Sequence, residues 1–75
     1  MILDEKIKAL REKIDANKEK RNKDAVEARS ILSDDKATDE QIEAANKTAE
    51  SLRKLDEDIK ADEEQLRDYE ALREV

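Results

Sequence analysis

Leu3, Ile7, Leu10 and Ile14 follow one another at steps of four, three and four residues, the spacing that aligns one apolar seam along a helix. The seam then enters DANKEKRNKD, residues 15–24, where Ala16 is the one apolar residue. Carried on from Ile14 by further steps of four and three, it passes Lys18 and Arg21 and reaches Ala25, Ala28 and Leu32. Lys18 and Arg21 have aliphatic stems that can cover apolar neighbours while their charges stay in water. This spacing predicts a helix over about residues 3–32 with a solvated, weakened centre. The sharper alternative makes that centre a flexible point at which the helix bends or opens during assembly.

A second periodic segment begins with Ile42, Ala45, Ala49 and Leu52. Leu55 then follows Leu52 by three residues, and Ile59, Leu66 and Tyr69 continue in a new frame, a phase slip that would overwind a coiled coil. Between the segments lies SDDKATDEQ, residues 33–41. Ser33, Asp34 and Asp35 compete for backbone hydrogen bonds and favour a turn even without glycine. Thr38 and Gln41 have the spacing of a capping box, in which each side chain bonds the other residue's backbone N–H. Asp39 and Glu40 add negative charge where the helix dipole favours it. The second helix is therefore expected over about residues 38–73. One continuous helix through the break is the competing reading.

Folding the segments back on each other brings together residues whose numbers add to about 73, the arrangement of an αα-hairpin. Leu32 then meets Ile42, Ala25 meets Ala49, Ile14 meets Ile59, Ile7 meets Leu66 and Leu3 meets Tyr69. The polar stretch around Arg21 faces Leu52 and Leu55. The expected fold is all-α: a two-helix antiparallel coiled-coil hairpin that self-associates into a helical bundle. Leu3, Ile7, Leu10, Ile14, Leu32, Ile42, Leu52, Leu55, Ile59, Leu66 and Tyr69 are its candidate core and interaction residues.

Composition strengthens this reading. The 75 residues are 51% charged and 36% hydrophobic, and they include no Gly, Pro, Cys or His. Imidazole bases, thiolate nucleophiles and soft metal ligands are thereby removed, and carboxylates are the only abundant reactive groups. Asp58 and Asp62 share a helix face, but ligands from one regular helix do not converge on a cation as a calcium or magnesium loop does. A solvated acidic face is the expectation, with no catalysis, cofactor or metal. Acid-first pairs such as Asp4–Lys8, Glu19–Lys23, Glu43–Lys47, Glu50–Lys54 and Asp56–Lys60 support an isolated helix by a few tenths of a kcal/mol each.

The net charge is −6, which disfavours nucleic acid as a partner. Residues 1–37 carry ten basic and nine acidic side chains, whereas residues 38–75 carry six and thirteen. Two helices of unlike charge attract. The basic cluster of Arg11, Lys13, Lys18, Lys20, Arg21 and Lys23 is diluted by acids and has no aromatics to stack bases. It reads as a solvated face or as the complement of acidic residues. No apolar run is long enough for a membrane span. A free-standing coiled-coil adaptor or regulator, working as a dimer or tetramer, fits all of these features.

The order AVEARSIL, a short polar turn, TDEQ and then ESLRKLDEDIKADEEQLRDYEAL resembles the N-terminal delta domain of tailed-bacteriophage major capsid proteins of the Hong Kong phage type. The likeness runs from about Ile7 to Val75, and the capping sequence between two apolar stripes is its most discriminating part. The resemblance implies a scaffold inside the procapsid, in the bacterial host cytoplasm. Such domains associate with one another to guide assembly and are removed by the maturation protease. It also implies that the chain continues past Val75 into the shell-forming fold, and it brings no catalytic residues.

Overall fold

A computed structural model describes residues 2–73. Helix α1, Ile2–Leu32, and helix α2, Asp39–Arg73, pack against each other as an antiparallel hairpin 57 Å long and 15 by 14 Å across. The described residues contain no strand. The competing continuous helix is therefore not the form adopted by the single chain.

The connection is closed by short-range polar bonds. The Ser33 N–H still donates to the Arg29 carbonyl at 2.9 Å, and the Asp34 N–H donates to that of Ile31 at 3.2 Å, which tightens the last turn of α1. A four-residue turn follows: the Ala37 N–H donates to the Asp34 carbonyl at 3.1 Å, and the Lys36 N–H donates to Asp34 Oδ1 at 2.9 Å. The capping box then forms in full. The Gln41 N–H donates to Thr38 Oγ1 at 3.1 Å, and the Thr38 N–H donates to Gln41 Oε1 at 2.9 Å. Thr38→Ala removes one half of this cap. We expect it to lower stability by about 0.5–2 kcal/mol in a urea titration, and no change would show that packing alone fixes the start of α2.

The seam between the helices is more regular than apolar spacing alone suggests. In α1 the residues turned toward α2 are Leu3, Ile7, Leu10, Ile14, Asn17, Arg21, Asp24, Ala28 and Ile31, all buried or half-buried. In α2 they are Ala45, Thr48, Leu52, Leu55, Ile59, Asp62, Leu66 and Tyr69. Both sets alternate steps of four and three without interruption, so each helix keeps one heptad frame from end to end.

Four sequence expectations change as a result. After Ile14 the seam steps by three to Asn17 rather than by four to Lys18, because two successive steps of four rotate a helix away from its partner. The phase slip at Leu55 is absent: Thr48, not Ala49, precedes Leu52, and Ala49 is exposed. Leu32 and Ile42 leave the core, at 50% and 37% exposure, and their expected pairing gives way to Ala28 and Ile31 grouped with Ala45 and Thr48. Asp62 belongs to the seam instead of a solvated face, since its side chain is only 14% exposed.

Six of the described residues are buried: Ile7, Leu10, Ile14 and Ala28 of α1, and Ala45 and Ile59 of α2. The large ones lie toward the open end. Near the turn the buried residues are alanines, which permits closer helix approach at the cost of apolar area.

Candidate interaction surface

Four ion pairs cross between the helices, and in each the base lies on α1 and the acid on α2. Arg11 Nη2 meets Glu70 Oε2 at 3.0 Å, and Lys18 Nζ meets Glu63 Oε2 at 3.6 Å, both along one edge of the seam. Arg21 reaches Asp56 through a fork, Nε to Oδ1 at 2.8 Å and Nη2 to Oδ2 at 3.5 Å. That hydrogen bond first, and the carboxylate's charge second, raise the guanidinium pKa above its ordinary value. Lys13 Nζ lies 3.1 Å from Asp62 Oδ2. These pairs use much of the basic cluster of α1 as the complement of acids within the same chain. The pairs of Arg11, Lys18 and Arg21 are exposed and screened by water, so they select orientation more than they stabilise.

Along single helices the pairing differs from the expected set. Glu43–Lys47 closes at 3.6 Å and Lys20–Asp24 at 2.8 Å, while Asp56 turns to Arg21 rather than Lys60.

The centre of the hairpin is a polar interruption inside a continuous seam. Asn17, Arg21 and Asp24 hold three successive inward positions of α1, and Asp24 shares a groove with Leu52 and Leu55. The expected pairings Ile14–Ile59, Ile7–Leu66 and Leu3–Tyr69 are displaced toward the open end: Leu66 shares a groove with Ile14, and Tyr69 with Leu10. Asp62 interrupts the facing helix. Its Oδ2 is buried, and the Lys13 ammonium approaches out of line for a hydrogen bond, which leaves a charge contact without a directed donor. Of these inward polar residues the sequence seam reached Arg21 but not Asn17, Asp24 or Asp62. A strict alternation of three and four extended from Ile7, and from Ile59, would have reached all of them.

The candidate interaction residues divide three ways. Ile7, Leu10, Ile14 and Ile59 are buried within the chain. Leu3, Leu52, Leu55, Leu66 and Tyr69 are half-buried in the seam. Tyr69 packs toward the open end, where its hydroxyl accepts from Gln65 Nε2 at 3.1 Å and its ring shares a groove with Leu10. Leu32 and Ile42 remain on the surface, as do Ile2, Val26 and Leu72.

Grooves between the helices are open and charged. One of about 460 Å³ is lined by Arg11, Ile14, Asp15, Lys18, Glu63, Leu66 and Arg67. Among the described residues no group of acidic side chains is arranged to hold a metal ion, and no helix is long and apolar enough to cross a membrane.

The fold is thus that of an all-α coiled-coil hairpin. No protein-family model matches the chain, and comparisons with curated proteins and with solved structures likewise return no match.

Proposed function

We propose that this chain is a non-catalytic self-association module that joins copies of itself, and through them whatever each copy is attached to. The observation that carries this reading is its surface. A compact monomer of this mass exposes about 4,700 Å², whereas the hairpin exposes 6105 Å². The excess, about 1,400 Å², is more than the roughly 800 Å² that one partner contributes to a standard interface. Two helices side by side cannot reduce it, because every residue has a neighbour on one side only. Six buried residues are a small core for a chain of this length, and a second copy supplies the missing layer.

Within that reading, the likeness to capsid delta domains gives the role: a scaffold that holds capsid subunits together during procapsid assembly and is then removed by the maturation protease. Alanines near the turn and polar residues in mid-seam suit contacts that are individually weak and gain strength by multiplicity on a shell.

Sedimentation across a concentration series tests the association. A dimer or larger species is expected at micromolar concentration, and a monomer throughout would overturn it. The mass of the native product carrying this segment, before and after particle maturation, tests the scaffold role. A much larger precursor that loses the segment supports it. A product of about this size would leave a coiled-coil adaptor.

A further inference from the structure

Near the turn the hairpin reverses the usual placement of size. Its buried residues there are Ala28 and Ala45, while Leu32 and Ile42 stand exposed. Leu32 directly follows the second inward position of its heptad, and Ile42 lies one heptad before Ala49, which holds the same place in α2. These positions form one edge of the seam, and the edge has two halves. Toward the open end it carries Asp4, Arg11, Lys18, Asp56, Glu63 and Glu70, every one charged. Toward the turn it carries Ala25, Leu32, Ile42 and Ala49, every one apolar. The opposite edge has no such half, since beside the same layers it holds Glu27, Ala44 and Ser51.

A stripe of two apolar positions per heptad serves a two-helix seam, whereas a stripe widened to one flanking position serves the core of a larger bundle. The turn half has the wider stripe, and the open half does not.

We propose that this edge is where two copies meet, turn beside turn, related by a two-fold axis along the hairpin, so that the turn halves form a four-helix bundle. The proposal rests on the self-association proposed above and specifies its surface and orientation. In this arrangement α1 of each copy lies on α2 of the other, and every helix of the bundled half gains a second neighbour. An axis along the hairpin keeps each residue at its own height. Those heights follow from the contacts inside the chain, where Ala28 and Ile31 group with Ala45 and Thr48. Leu32 therefore falls between Ile42 and Ala49 of the other copy, an apolar setting that the single hairpin does not give it.

Charge selects this orientation over the opposed one. Turn beside turn, Arg11 and Lys18 approach Glu63 and Glu70 of the other copy as well as their own. In an opposed pair α1 would lie on α1 and acidic α2 on acidic α2. The apolar halves would then overlap only if the open halves projected past each other with their charges unmet. The open halves of the proposed dimer touch through charged side chains alone, so close packing is confined to the turn half. The ends that carry Ile2 and Arg73 all project the same way.

The full chain has no native cysteine and takes one spin label at exposed Glu5→Cys, near the open end. Pulsed electron spin resonance on the dimer should place the two labels two to three helix diameters apart, roughly 20–35 Å. An opposed pair would hold them farther apart, toward or beyond the 57 Å length of one hairpin, and such a reading would overturn the proposal.

Two variants supply an independent check. Leu32→Lys and Ile42→Lys change residues that are exposed in the single hairpin, so helicity should persist while association weakens by about tenfold or more. Ser51→Lys adds the same charge on the opposite edge and should leave association unchanged. Undiminished association of both edge variants, or an equal loss with Ser51→Lys, would overturn this edge while leaving self-association intact. A monomer of the parent chain at every concentration would overturn both.

Discussion

Replacing Ile59 with Asp should abolish the hairpin. Ile59 is 6% exposed and is the only large buried side chain of α2, positioned between the Ile14 layer and the polar centre. Removing it forfeits about 1.5–3 kcal/mol of apolar burial, and the new carboxylate must also be desolvated close to Asp62, a like charge. Single domains as a rule have only about 5–15 kcal/mol of total stability, and one this small sits at the low end or below it. The helices cannot compensate alone, because in proteins most helical stability comes from tertiary packing of one face. Circular dichroism at 222 nm should show the helical signal largely lost at room temperature, together with any oligomer. Near-wild-type helicity and melting would mean that the two helices do not depend on this layer.

The opposite change is expected at Asp62. Asp62→Leu removes a buried carboxylate oxygen that has a charge contact but no hydrogen bond, and fills a seam position at the level of Ile14. Its partner Lys13 is 59% exposed, so the ammonium returns to water at little cost. Replacing a poorly satisfied buried ion by an apolar side chain stabilises by about 1–3 kcal/mol. For a chain of this size each kcal/mol raises the melting temperature by about 4–8 °C. Thermal melts should show a rise of that order, and a decrease would mean that the Lys13 contact outweighs the desolvation of the carboxylate. The gain has a predictable drawback. Polar residues at inward positions restrict which registers two helices can adopt, and an all-apolar seam would accept several.

The sequence announced the architecture in its punctuation and its charges. Thr38 and Gln41 marked the start of α2 because a capping box is a local device, set by three residues of spacing. Ile7, Leu10, Ile14 and Ile59 were recognisable because apolar residues at heptad spacing have one place to go. The placement of Asn17, Asp24, Thr48 and Asp62 was not recognisable in the same way, although the seam drawn through Arg21 was right. Reading by hydrophobicity moves the seam to the nearest apolar residue, which drew it to Leu32, Ile42 and Ala49. A supercoil instead holds its period and carries polar residues inward with it. The apparent slip at Leu55 came from following α1's frame across the turn and into α2, where the hairpin no longer uses it. The ion pairing was legible only in sign: the excess of acid in the second half was plain, but Asp56 choosing Arg21 over Lys60 depends on the distance between helices.

The arrangement of charge has a last consequence, for what a protease would accomplish. The connection between the helices is the exposed, irregular part of the described chain, and so the natural place for a first cut. The two pieces would still be matched in the half of the hairpin away from the turn, where Arg11, Lys13, Lys18 and Arg21 of α1 meet Glu70, Asp62, Glu63 and Asp56 of α2. The severed pieces would behave as a non-covalent heterodimer that dilution, not cleavage, takes apart.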